Sequence, residues 1–231
     1  MCSNSNDLIS DIQSTLRAMA EAGCRGFDPT QESIEILNSW DARSDSLNAV
    51  LSDLTECRRC PLAESRNHLV FGEGNPEARL VFVGEGPGYE EDRKGAPFVG
   101  RAGELLTKII EAMGLTRDQV YICNVVKCRP PKNRNPLPEE IQACLPFLER
   151  QIDCIRPEFI CTLGAVAAQT LLRTEESITQ LRGRFHTYKN ISVMPTFHPA
   201  YLLRNPEKKR EVWGDVQKLM KQMGLKSEDK R

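Results

Sequence analysis

Cys57-Arg58-Arg59-Cys60-Pro61 sets two thiols three positions apart, with a proline behind them. Cys128 and Cys144 make a wider pair that flanks the proline-rich residues 129–138. Four thiolates are a complete ligand set for tetrahedral zinc or for a [4Fe-4S] cluster, and spacing alone does not choose between them. A C-x-x-C can also be a redox dithiol, but no thioredoxin-like context surrounds this one. The chain holds nine cysteines, an odd number, and its first twenty residues lack the pattern of a secretory signal. A disulfide framework is therefore not expected. Cys123, Cys154 and Cys161 read as packing thiols, and Cys2 and Cys24 as incidental.

A second group of residues suits a planar ligand. Gly84-Glu85-Gly86-Pro87-Gly88 follows an apolar run. It is not a Walker loop, because no Gly-Lys-Ser/Thr follows. It is not G-x-G-x-x-G either, because Tyr89 and Glu90 take the next places. Glu90, Glu91 and Asp92 would repel a triphosphate, so a turn that lines a neutral base edge fits better than a phosphate cradle. Phe98, within Lys94-Gly95-Ala96-Pro97-Phe98-Val99-Gly100-Arg101-Ala102-Gly103, could stack on such a ligand or plug the core. Asn124 offers a donor and an acceptor to a base edge. His198, one of three histidines, is a candidate acid, base or charge stabiliser. Two basic groups, Lys127, Arg129, Lys132 and Arg134, then Arg204, Lys208, Lys209 and Arg210, could hold phosphates or simply face water.

These residues need a frame. Four short apolar runs read as strands: Leu80-Val81-Phe82-Val83, Val120-Tyr121-Ile122-Cys123, Phe159-Ile160-Cys161-Thr162-Leu163 and Ile191-Ser192-Val193-Met194. Helical patterns fall at residues 102–113, 138–152, 165–172 and 206–223. Strands alternating with helices predict an α/β fold with a mostly parallel sheet, covered on both faces. Ligands of such sheets bind at the carboxyl ends of the strands. The glycine turn, Asn124 and His198 each follow a strand, so one mouth would receive all three.

Residues 1–50 read as an acidic helical N-terminal extension, residues 51–225 as the functional domain and residues 226–231 as a charged tail. In the extension Leu8, Ile12, Leu16 and Met19 recur at helical spacing. The chain is 40% apolar and 27% charged, which argues against wholesale disorder. It contains no run of about 18 apolar residues, so no membrane span is expected. Its net charge of -1 hides an asymmetry: residues 1–56 carry -7 and the remainder +6. A cytoplasmic location is expected.

Several motifs together resemble the family 4, iron-sulfur uracil-DNA glycosylases. They are the Cys57/Cys60 pair, Gly84-Glu85-Gly86-Pro87-Gly88, Gly95-Ala96-Pro97-Phe98-Val99-Gly100-Arg101-Ala102-Gly103, Asn124-Val125-Val126-Lys127-Cys128-Arg129-Pro130-Pro131 and His198-Pro199-Ala200-Tyr201-Leu202-Leu203-Arg204. They run in order over about residues 55–225. The resemblance implies a three-layer α/β/α sandwich around a four-stranded parallel sheet. It implies a [4Fe-4S] cluster on Cys57, Cys60, Cys128 and Cys144, in preference to zinc. It implies flipping of uracil out of single- or double-stranded DNA and hydrolysis of its N-glycosidic bond, by a monomer, leaving an abasic site.

Residue by residue, the resemblance implies that Phe98 stacks on uracil and Asn124 bonds its N3 and O4 edge. Glu85, Gly86 and Pro87 would line the pocket. His198 would stabilise charge at O2, and Leu202 would wedge into the gap in the duplex. Lys127, Arg129, Lys132, Arg134 and Arg204 are the expected DNA contacts. A better-known glycosylase family positions water with an Asp where this chain has Gly86, so Glu85 or Glu91 is the expected substitute. Two rivals remain. A relative that traps the abasic sugar through a loop histidine is disfavoured, since no His lies between Cys128 and Cys144. A non-enzymatic metal-containing DNA-binding module would not need Phe98, Asn124 and His198 at one mouth.

Overall fold

The computed structural model describes residues 45–225. The expected helix over Leu8 to Met19 lies outside them. In chain order the elements are α1 (Leu47–Thr55), α2 (Leu62–Ser65), β1 (Glu73–Gly74), β2 (Leu80–Gly84), α3 (Tyr89–Lys94), α4 (Arg101–Ala112), β3 (Tyr121–Asn124), α5 (Pro138–Ile155) and β4 (Phe159–Leu163). Then come α6 (Ala165–Leu172), α7 (Ile178–Leu181), β5 (His186–Tyr188), β6 (Ile191–Thr196), α8 (Pro199–Arg204) and α9 (Lys209–Met223). The boundary expected near residue 50 falls inside α1, whose Val50 and Leu54 bury against Phe147 of α5.

The sheet has six strands in the order β1-β3-β2-β4-β6-β5. Its inner four, β3-β2-β4-β6, are parallel. The expected four-stranded parallel sheet is thus corrected to a mixed one, because an antiparallel strand closes each edge. β1 is two residues long and leaves no periodicity to read. β5 leads into β6 through Lys189 and Asn190, both with positive φ, the geometry of a tight two-residue hairpin.

Every residue of β2 and of β4 is buried, as expected of inner parallel strands covered on both faces. Successive side chains alternate between two cores. Leu80 and Phe82 join Leu106 and Ile110 of α4 and Val216 and Leu219 of α9. Val81 and Val83 join Leu148 and Ile152 of α5 and Ala167 and Leu171 of α6. The result is a three-layer α/β/α sandwich. No described helix is long and apolar enough to cross a membrane.

From β2 the chain moves outward to β3, then returns to β4 on the other side of β2. That reversal opens a crevice beyond the carboxyl ends of the strands.

Candidate active site and thiol cluster

A cavity of about 470 Å³ lies at those ends. Its wall includes Glu85, Gly86 and Pro87 after β2, Asn124 at the end of β3 and His198 after β6, with Phe98, Glu91, Arg134 and Arg204.

Phe98 is buried and adopts a left-handed backbone, φ 51°, which a residue with a Cβ takes only at a cost. The surroundings hold it there. Arg117 donates to the carbonyls of Pro97 at 2.9 Å and Phe98 at 3.3 Å. Glu73 pairs with that guanidinium. Glu91 Oε1 accepts from the N–H groups of Val99 at 2.9 Å and Gly100 at 3.0 Å. A Cβ on Gly84 would stand 2.4 Å from Asn124 Oδ1 and 2.6 Å from the Phe98 ring. Glycine there is what lets both Phe98 and Asn124 pack against this turn. None of these supports was visible in the sequence, because each depends on how loops fold against one another rather than on a repeating pattern.

Asn124 is buried, and its Oδ1 has no protein partner. His198 caps α8, its Nδ1 accepting from Ala200 N–H at 3.1 Å. An acceptor Nδ1 carries no proton, so the neutral ring bears its hydrogen on Nε2. Burial pushes the His198 pKa down to about 4; Glu91 opposes that shift and Arg204 adds to it. The rings of Phe98 and His198 lie 5.6 Å apart.

The three acids after Gly88 have separate partners. Glu90 pairs with Arg93 and Glu91 holds the Phe98 loop. Buried Asp92 accepts from the backbone N–H groups of Asn67 at 2.8 Å and His68 at 3.3 Å. Glu85 makes no side-chain hydrogen bond among the described residues, and burial raises its carboxyl pKa. A Cβ at Gly86 would stand 2.7 Å from Val126 Cγ2, so the side chain missing there has no room in this packing.

Two expected DNA contacts are corrected. Lys127 is fully buried, its Nζ donating to the Asn124 carbonyl at 2.7 Å, so it cannot reach a phosphate. Leu202 is 1% exposed within the core, whereas its neighbour Leu203 is 38% exposed. Arg134 is bound through both terminal nitrogens to buried Glu140, at 2.8 and 2.6 Å. Arg129 is half-buried, and Lys132 and Arg204 are exposed.

Cys57, Cys60, Cys128 and Cys144 are free thiols close enough to influence one another's charge. Burial raises the Cys128 thiol pKa, and the Arg66 guanidinium, 3.2 Å from its Sγ, opposes the shift. Burial pushes Cys144 up to about 11, opposed by Lys127. Among the described residues no three His, Cys, Asp or Glu side chains converge tightly enough to hold a single metal ion. A four-iron cluster has the bulk of eight atoms and spreads its ligands further apart. The all-sulfur donor set, flanked by cations that would balance an anionic cluster, fits such a group. Cys123 and Cys161 are packed inside the sheet, and Cys154 Sγ donates to the Asp45 carbonyl at 2.9 Å.

A sheet that opens at its strand ends onto an aromatic ring, an unpartnered amide and a neutral imidazole is the frame of a base-excising enzyme. The chain matches the Uracil DNA glycosylase superfamily over residues 71–217. A type-4 uracil-DNA glycosylase of Thermotoga maritima is 49% identical over 180 residues, spanning 76% of this chain and 94% of the relative. Those of Sulfurisphaera tokodaii and Saccharolobus solfataricus are 46% and 44% identical, spanning 76% and 79% of this chain and 84% and 88% of their own. The chain belongs to the type-4 uracil-DNA glycosylases.

Proposed function

We propose that the cavity receives a uracil extruded from DNA and that the residues around it cleave the N-glycosidic bond by electrostatic stabilisation. Uracil-DNA glycosylase activity, the first step of base excision repair, goes with membership of the family. The observation that carries the residue assignment is the pairing of an orphaned buried amide oxygen on Asn124 with an imidazole whose free hydrogen is on Nε2. Uracil presents one N–H donor at N3 and a carbonyl acceptor at O4. The Asn124 amide supplies the complement to both.

Cleavage leaves positive charge on the sugar and negative charge on the departing base. The His198 Nε2–H donates to O2 as that charge grows, a contact that gains strength in the transition state. Phe98 stacks on the ring, and the turn at Glu85, Gly86 and Pro87 lines its edge. No side chain attacks the sugar; water does, and the product is an abasic site. Glu85 is the candidate to take the proton from that water, because its carboxylate has no competing hydrogen bond. Glu91 spends one oxygen on the Phe98 loop.

Arg129, Lys132 and Arg204 are the proposed phosphate contacts. Leu203 rather than Leu202 is the side chain free to enter the duplex. Cys57, Cys60, Cys128 and Cys144 would hold a [4Fe-4S] cluster, whose part is to cross-link the fold rather than to join the reaction. We assign the protein to the cytoplasm as a monomer acting on single- or double-stranded DNA.

The test is single-turnover excision from a uracil-containing oligonucleotide. Release of free uracil with an alkali-labile abasic product is expected. A covalent protein–DNA adduct would favour the trapping relative, and binding without release would favour a non-catalytic module.

A further inference from the structure

Tyr89 is 55% exposed although it follows Gly88, which lines the cavity. The Arg129 guanidinium lies over its ring, 5.1 Å from the centroid. Arg129 is itself held, its Nε donating to Asn133 Oδ1 at 2.7 Å. Asn133 and Pro130, which follow Arg129 in the chain, also line the cavity. Lys132 and Asn133 both adopt left-handed backbone, and Lys132 is exposed. An aromatic ring is thus fixed at the rim of the cavity by a cation, away from either hydrophobic core. Nothing in the excision chemistry described above uses it.

We propose that Tyr89 and Arg129 form a stacking platform for an unpaired nucleobase next to the flipped uracil. The proposal rests on the uracil-excision reading and names a second subsite of the same cleft. The chemistry is that of single-strand binding: an aromatic face stacks on any base, and a neighbouring cation meets the backbone phosphate. One face of the Tyr89 ring meets the guanidinium, and the exposed remainder is available to a base. A duplex keeps the flanking base stacked and paired, so the platform acts mainly on single-stranded or locally opened DNA. It is indifferent to sequence, since every base has a π face.

The experiment measures affinity for a single-stranded oligonucleotide carrying a cleavage-resistant 2′-fluoro deoxyuridine. A second oligonucleotide has abasic spacers on both sides of that nucleotide. Tyr89→Ala is expected to weaken binding to the first by about tenfold, the scale of one lost base–aromatic stack. Tyr89→Phe keeps the ring and is expected to bind like the parent. On the spacer oligonucleotide the parent and Tyr89→Ala are expected to bind equally, because the base that stacks is gone. An unchanged affinity in Tyr89→Ala, an equal loss on both oligonucleotides, or a loss in Tyr89→Phe would overturn the platform. Excision by the parent is measured alongside. If the parent releases no uracil, the excision reading fails; if it releases uracil and Tyr89→Ala binds normally, only the platform fails.

Discussion

The Ala200 N–H donates to His198 Nδ1, and burial holds the ring neutral down to about pH 4. The neutral form is therefore present above that pH and is lost as pH falls through it. An imidazole at its ordinary pKa of about 6.5 would instead lose its neutral form near neutrality. The acid limb that His198 imposes on single-turnover excision is expected below pH 5. His198→Ala is expected to slow excision by about a hundredfold or more, the usual loss when a donor to a developing oxyanion is removed. DNA affinity should change little. An acid limb near pH 6.5, or loss of binding with unchanged chemistry, would mean that the imidazole contacts DNA rather than O2. Asn124→Asp replaces a donor with an acceptor facing O4, so uracil excision is expected to fall by an amount equivalent to about 1–3 kcal/mol. Parental rates in that variant would remove Asn124 as the reader. That Asn124 and His198 line one cavity was legible because each ends or follows a strand of the sheet. The burial of Lys127 was not legible, because a lysine among basic neighbours looks like a surface residue until its backbone partner is known.

At the scale of elements, four short helices escaped the sequence reading. α2 and α7 are four residues each and α3 and α8 six, too brief for a helical period to repeat. Their geometry nevertheless decides roles. α8 turns Leu202 into the core and Leu203 outward, and two identical neighbouring side chains offer no clue to which faces in. Leu203→Ala should therefore slow excision from duplex DNA more than from a single strand, while leaving thermal stability almost unchanged. Leu202→Ala should destabilise the fold by about 2–5 kcal/mol, as buried leucines do. α3 carries Glu91 to the Phe98 loop, which its neighbours Arg117 and Gly100 help to close. Glu91→Gln keeps an acceptor for Val99 and Gly100 and is expected to retain most of the excision rate. Glu91→Ala leaves both N–H groups unpaired and frees a residue already held at an unfavourable φ, so its rate should fall. Equal losses in the two variants would instead make the Glu91 charge itself part of the chemistry.

Across the whole molecule, the four inner strands were readable because each contains a short, mostly apolar run set apart from the helical patterns. The antiparallel edges were not, since two- and three-residue strands carry no pattern. The four thiols come from separate segments of one packed region. Cys57 and Cys60 bracket the turn between α1 and α2, Cys128 follows β3 and Cys144 lies on α5. Arg66 reinforces that meeting by donating both to Cys128 Sγ and to the Thr55 carbonyl, each at 3.2 Å. A cluster bound there would stabilise the folded state by mass action, because the unfolded chain does not hold the four thiolates together. Binding a thousandfold beyond the dissociation constant contributes about 4 kcal/mol, which in a domain of this size corresponds to a rise in Tm of about 10 °C. Cys144→Ser is therefore expected to yield iron-poor protein whose Tm falls on that order, and whose residues 129–135 become more open to protease. Cys123→Ala and Cys154→Ala, which alter thiols outside the set, should keep the parental iron content. Iron analysis beside thermal melting checks both. Stoichiometric zinc in anaerobically prepared parent protein, or iron retained in Cys144→Ser, would contradict a [4Fe-4S] cluster on these four residues.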